Sequence, residues 1–160
     1  MKEHSKVMKK NQEGFSLIEL LIVVAIIGII AAIAVPNLLA SRRAANEGSA
    51  IGSVRSINSA EAEYFGTVGA NTNYGDRAAL MGQGLIDSVL GGGQKSGYTF
   101  AIAKTDAVAG TAATFDVTAT PVSTGLTGTG TRGFYSNETM VIYGNATTPG
   151  SRATPGTAIQ

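Results

Sequence analysis

Apolar positions are distributed unevenly along the chain. From Phe15 to Val35 they are nearly continuous, and Glu19 is the only charge among them. At ~1.5 Å per residue, a helix of this length just spans a hydrocarbon core of ~30 Å. Past Pro36 the pattern changes. Asn37 to Phe65 reads as an amphipathic helix, with Ile51, Val54, Ile57 and Tyr64 on one stripe and Ala60 or Glu61 bridging the last gap. Arg42, Arg43, Glu47, Arg55, Glu61 and Glu63 are available for its polar side, and Gly66 is a stop signal. The two segments together predict ~75 Å of helix. A soluble domain this small has no internal need for such a rod, so part of it must be covered by lipid or by other subunits.

Beyond Gly66 the pattern breaks into shorter pieces. Asp76 to Leu90 reads as one short helix, N-capped by Asp76 and ended by Gly91-Gly92-Gly93. Tyr98, Phe100 and Ile102 alternate on one strand face, as do Phe115, Val117 and Ala119 on the next. Phe134-Tyr135 and Met140 to Tyr143 flank Ser136 to Thr139, which reads as a hairpin loop. These pieces predict an α+β fold: a small antiparallel meander laid on the second half of the long helix. The expected organisation is 1–14 leader, 15–36 membrane and assembly helix, 37–66 amphipathic helix, 67–144 globular head, and 145–160 a loosely ordered tail. Ser123 to Thr131 is expected to be an exposed loop.

Charge and composition narrow the chemistry. The formal net charge is +1, so no global field points to nucleic acid. The sequence has no cysteine and its single histidine is His4, which removes thiolate chemistry and most zinc, haem and iron–sulfur ligation. Lys2, Lys6, Lys9 and Lys10 precede the apolar segment, which sets the N-terminus on the cytoplasmic side. A secretory signal would carry a shorter apolar region, roughly 7–15 residues. A plain anchor fits the length but gives Glu19 no reason to be there. A carboxylate inside a membrane helix costs about 2.5 to 3.5 kcal/mol on insertion scales. Cutting between Gly14 and Phe15 would create a new α-amino group able to meet it.

Gly14-Phe15-Ser16-Leu17-Ile18-Glu19, continuing through Leu20 to Ile29 and Ala34-Val35-Pro36-Asn37, resembles the processing region of type IV pilins and type II secretion pseudopilins. The resemblance implies that a prepilin peptidase cuts after Gly14 and methylates the amino group of Phe15. It implies that Glu19 pairs with the Phe15 terminus of a neighbouring copy, which would make the two a register key. Gly28 and Pro36 are the expected weak points of the helix, through low propensity and a missing donor. The implied partners are further copies of the chain, the peptidase and an inner-membrane assembly platform. The implied location is the bacterial inner membrane, then a surface pilus or a periplasmic pseudopilus. The motif is common to both filaments. The absence of cysteine departs from pilins that close their C-terminal region with a disulfide, whereas the Gly/Thr-rich loops suit a surface coat.

Other signals are weaker. Gly128-Thr-Gly130-Thr-Arg-Gly133 matches a dinucleotide fingerprint by letter, but a β-like segment follows where a helix is required. Asn137-Glu-Thr139 and Asn145-Ala-Thr147 are formal glycosylation sequons. Neither Glu61 with Glu63 nor Asp106 with Asp116 makes a convincing acid–base pair, and no Asp/Asn run supplies a calcium site. No cofactor, metal or enzymatic activity is expected.

Overall fold

The computed structural model describes residues 14–144 and 157–159. The leader up to Glu13, the second sequon and most of the expected tail lie outside the described residues. The chain divides into two units between Asn37 and Leu38. Helix α1, Leu17–Gly66, contributes its beginning to the first unit and its remainder to the second.

Among the described residues of the first unit, 14–37, none is buried. Its helix is long and apolar enough to cross a membrane. Such a surface is stable only where lipid or another protein removes it from water.

In the second unit α1 has two faces. Ala50, Val54, Ile57 and Ala60 enter the core, while Gly48, Gly52, Arg55 and Ser59 stay in solvent. A six-stranded antiparallel sheet runs in chain order: β1 (Gln94–Lys95), β2 (Tyr98–Thr105), β3 (Thr114–Pro121), β4 (Phe134–Asn137), β5 (Ile142–Gly144) and β6 (Thr157–Ile159). Tyr98, Phe100, Phe115, Val117, Ala119 and Phe134 alternate inward from β2, β3 and β4 and share one core with α1. The register Phe100↔Ala119↔Phe134 stacks a small residue between two rings. The long helix and the antiparallel meander expected from the pattern are both present.

Four details differ from expectation. The helix expected over Asp76 to Leu90 is two, α2 (Arg77–Gly82) and α3 (Ser88–Gly91). Gly84 adopts φ +70, which ends the first, and Asp87 restarts the second by accepting from Leu90 N–H at 2.7 Å. Asp76 caps Ala79 N–H in the same way. A short β1 precedes β2 through a two-residue turn, Ser96-Gly97, with both residues at positive φ. Such primed turns match the twist of paired strands. The β4–β5 connection lies at 138–141 rather than 136–139. Ser136 is drawn into the core, where its hydroxyl accepts from Asn58 Nδ2 and donates to the Val141 carbonyl. Finally, the stretch read as a loose tail contains β6, which pairs Ile142↔Ile159 and shields one edge of β5.

Candidate assembly site

The first unit starts at Gly14 and Phe15, which precede the helix in irregular backbone; the Phe15 ring is 91% exposed. Helix α1 begins at Leu17. Glu19 turns back so that its Oε2 accepts the Ser16 N–H at 3.0 Å. Four N–H groups at a helix start lack helical partners, and the dipole there favours a negative charge. Ser16-Leu-Ile-Glu19 is the Ser-x-x-Glu capping signature, a signal that reading Glu19 as an isolated membrane charge passes over. The carboxylate is therefore satisfied once within its own chain, and its Oε1 has no hydrogen-bond partner among the described residues.

Gly28 and Pro36 both lie inside continuous helix. A Cβ at Gly28 would touch nothing, so no contact within this chain requires glycine there. Pro36 leaves one carbonyl of the preceding turn without its backbone donor.

In the second unit, α1 carries two buried carboxylates expected on its polar side. Glu47 accepts from Thr131 N–H at 2.9 Å, from the Thr131 hydroxyl at 2.7 Å and from Arg132 Nε at 2.9 Å, and forms an ion pair with Arg132. Burial alone would raise its pKa, but the Thr131 and Arg132 bonds outweigh burial and hold the carboxyl below its ordinary value. Arg43 donates to the Gly125 carbonyl and Asn46 to that of Thr129. The Gly/Thr-rich loop is exposed from Ser123 to Thr127, as expected, and these two bonds tie its backbone to α1.

The fingerprint-like glycines have a packing explanation. A Cβ at Gly130 would lie 2.1 Å from the Tyr98 hydroxyl oxygen, and one at Gly128 would strike the Thr124 backbone. Tyr98 in turn donates to the Arg132 carbonyl at 2.9 Å.

Glu61 is fully buried. Its Oε2 accepts Gly75 N–H at 2.9 Å, and its Oε1 has no partner among the described residues. Burial pushes its pKa up to about 7, against the pull of the Gly75 bond and of Lys104. Gly75 has no room for a side chain between Leu80 and Tyr64. Glu63 remains exposed, so Glu61 and Glu63 do not converge. Asp106 pairs with Lys104, while Asp116 accepts from the Tyr135 hydroxyl. Among the described residues no three His, Cys, Asp or Glu side chains gather as a metal site would need.

The model for the prokaryotic N-terminal methylation motif matches residues 9–35. The chain is 63% identical over 38 residues to the type IV wide pilus major component PilA4 of Thermus thermophilus, which covers 24% of this chain and 29% of that one. It is 42% identical over 55 residues to the type IV major pilin PilA of Myxococcus xanthus, covering 34% and 25% of the two chains. It is 35% identical over 52 residues to the type II secretion system core protein G of Aeromonas hydrophila, covering 32% and 36%. No solved structure matches. The motif and these relatives show that the N-terminal part of the chain is similar to type IV pilins and to type II secretion pseudopilins. The match spans only about a third or less of each of these relatives' lengths.

Proposed function

We propose that this chain is a structural subunit of a type IV pilus, held in the inner membrane by the start of α1 and then packed into a filament through the same surface. The observation that supports this most is the exposed apolar helix from Leu17 to Val35, lying within the matched motif. Lipid covers it in the precursor, and other copies cover it in the polymer. A prepilin peptidase cuts after Gly14, where the backbone is not yet helical, and the new Phe15 amino group is methylated. In the polymer, Glu19 of one copy takes the Phe15 terminus of another. Two costly charges then offset each other only at one axial register. Gly28 and Pro36 are where the helix yields during this transfer. An inner-membrane assembly platform carries it out.

A second reading, a type II secretion pseudopilin in a periplasmic filament, is favoured by the protein G relatives. Shearing cells, pelleting the released material and taking the intact mass separates the two. An abundant species starting at Phe15 in the sheared fraction supports the surface pilus. A processed form confined to membranes supports the pseudopilus, and a product retaining Met1 to Gly14 contradicts both.

A further inference from the structure

At the start of its share of α1, the second unit combines exposed apolar side chains with cations and no acid. Leu38 and Leu126 are 69% and 70% exposed, more than any other large apolar residue described in this unit. Arg42 stands one helical turn after Leu38 and is exposed, and Arg43 follows it. Neither arginine forms an ion pair among the described residues. Residues 36–46 and 121–133 contain no Asp or Glu. The next carboxylate along the helix, Glu47, is already held by Thr131 and Arg132.

Leu126 is presented by a turn that the chain takes care to fix. Arg43 Nη1 donates to the Gly125 carbonyl at 2.9 Å, and Asn46 Nδ2 donates to that of Thr129 at 2.8 Å. The Gly128 N–H closes on the same Gly125 carbonyl at 3.1 Å, and Thr129 N–H donates to the Ser123 carbonyl at 2.9 Å. Gly125 adopts φ +99, and Gly128 has no room for a Cβ beside the Thr124 backbone. Two glycines thus make the turn tight, and a leucine is held in water at its apex beside two arginines. Turn positions ordinarily go to small or polar residues. Nothing within the chain covers Leu126, so its partner is outside.

The composition of the surface indicates the partner. An apolar tip beside unpaired guanidinium groups is complementary to an anionic lipid layer, which offers acyl chains to the leucine and phosphate oxygens to the arginines. Position along the chain agrees. Arg42 is seven residues past Val35, the end of the apolar run, or ~10 Å of helix. The headgroup layer is roughly 5–7 Å deep on each side of the hydrocarbon, and a long arginine stem reaches back across the difference. Cations here also run against the bias that gathers Lys and Arg on the cytoplasmic side of a membrane segment. A local ligand gives them a reason to be there.

We propose that Leu38, Arg42, Arg43 and the Gly125-Leu126 turn form a docking patch for anionic phospholipid headgroups. The arginines take the phosphates and Leu126 lies among the uppermost acyl carbons. The patch holds the second unit against the bilayer before assembly, and it is released when the chain leaves the membrane. The proposal rests on the membrane part of the reading above and adds a lipid contact outside the apolar segment.

The sequence has no tryptophan, so a single introduced one reports its own surroundings. Full-length Leu126→Trp is reconstituted in phosphatidylglycerol vesicles with brominated lipid as quencher. Leu20→Trp marks the apolar segment. Val108→Trp is the control, in the loop that the Ala107 N–H ties to Asn73 beyond the end of α1. Quenching is expected at positions 20 and 126 and not at 108. Adding Arg42→Gln to Leu126→Trp should lower the docked-to-undocked ratio about fivefold, and phosphatidylcholine vesicles should lower it at least as far. Quenching at position 20 without quenching at 126 overturns the patch. Equal quenching at 126 in phosphatidylcholine, or with Arg42→Gln present, overturns the headgroup contact. A blue shift at 126 that follows protein density but not brominated lipid assigns the surface to a second copy and also overturns it. If position 20 is not quenched, the chain is not in the bilayer, and the membrane reading fails and takes the patch with it.

Discussion

Glu19 and Glu61 are carboxylates on the same helix, and each accepts one backbone N–H at close to 3 Å. Their surroundings are opposite. Around Glu19 nothing is buried, and the apolar side chains from Leu17 to Val35 wait for a medium or a partner. Around Glu61 the chain supplies its own cover: the residue is fully buried and its carboxyl takes the Gly75 N–H. The first unit is therefore built to be completed by other molecules, and the second is largely complete in itself. A substitution in the first should show in assembly and leave folding alone. In the second it should show in stability.

The sharpest break of this contrast is Glu19→Ala. It should abolish sheared filaments while leaving membrane insertion and head melting unchanged; normal filament yield would remove Glu19 from the assembly mechanism. Next comes Phe134→Ala, which empties a fully buried position and should cost about 3–5 kcal/mol of head stability. Ile26→Ala, a large-to-small change at an exposed position of the first unit, should leave the melting curve where it was. If both shift melting alike, the division fails.

Within the second unit, the stability contributions of Glu47 and Glu61 run in opposite directions with pH. Glu61 has a raised folded pKa, so its contribution is fully present below the ordinary carboxylate value of 4.5 and fades as pH rises through about 7. Glu61→Gln should flatten that decline and gain on the order of 2 kcal/mol over wild type at pH 8. A wild-type melting temperature that does not fall between pH 5 and pH 8 would count against a protonated Glu61. Glu47 has a lowered pKa, so its contribution is present above 4.5 and lost as pH falls through its folded value. Glu47→Ala should cost roughly 2 kcal/mol near neutrality, read by denaturant melting, and much less in acid. The smallest effect belongs to the exposed Lys104–Asp106 pair, where Asp106→Ala should change stability by under about 1 kcal/mol.

Much of this was legible from local pattern. The apolar run, its single charge and the basic residues before it are contiguous, so no tertiary knowledge is needed to see a membrane-length helix with a carboxylate near its start. The inward alternation of Phe115, Val117 and Ala119 is a period-two signal that a half-buried strand cannot avoid, and the register confirms it. Other features left a weaker trace. Strand β1 is two residues long and β6 three, too short for any period to emerge. Both exist because a neighbouring strand edge is there to pair with. The break between α2 and α3 was marked by Gly84 and Asp87, but the apolar residues on either side made one helix look adequate.

Which carboxylates sit inside was settled by the tertiary structure alone. Glu47, Glu61 and Glu63 are equivalent as letters on a helix, and a polar residue defaults to the wet side because burying a charge costs free energy. That default is overturned for Glu47 by Thr131 and Arg132, more than eighty residues away, and for Glu61 by the backbone of Gly75. Glu63 is brought to no such partner among the described residues and stays in solvent. Elements whose signal is periodic and contiguous can be read from the residues directly: the apolar helix, the strand faces and the motif at the start. The fate of each polar group cannot, because it depends on which distant donor the folded chain brings within about 3 Å.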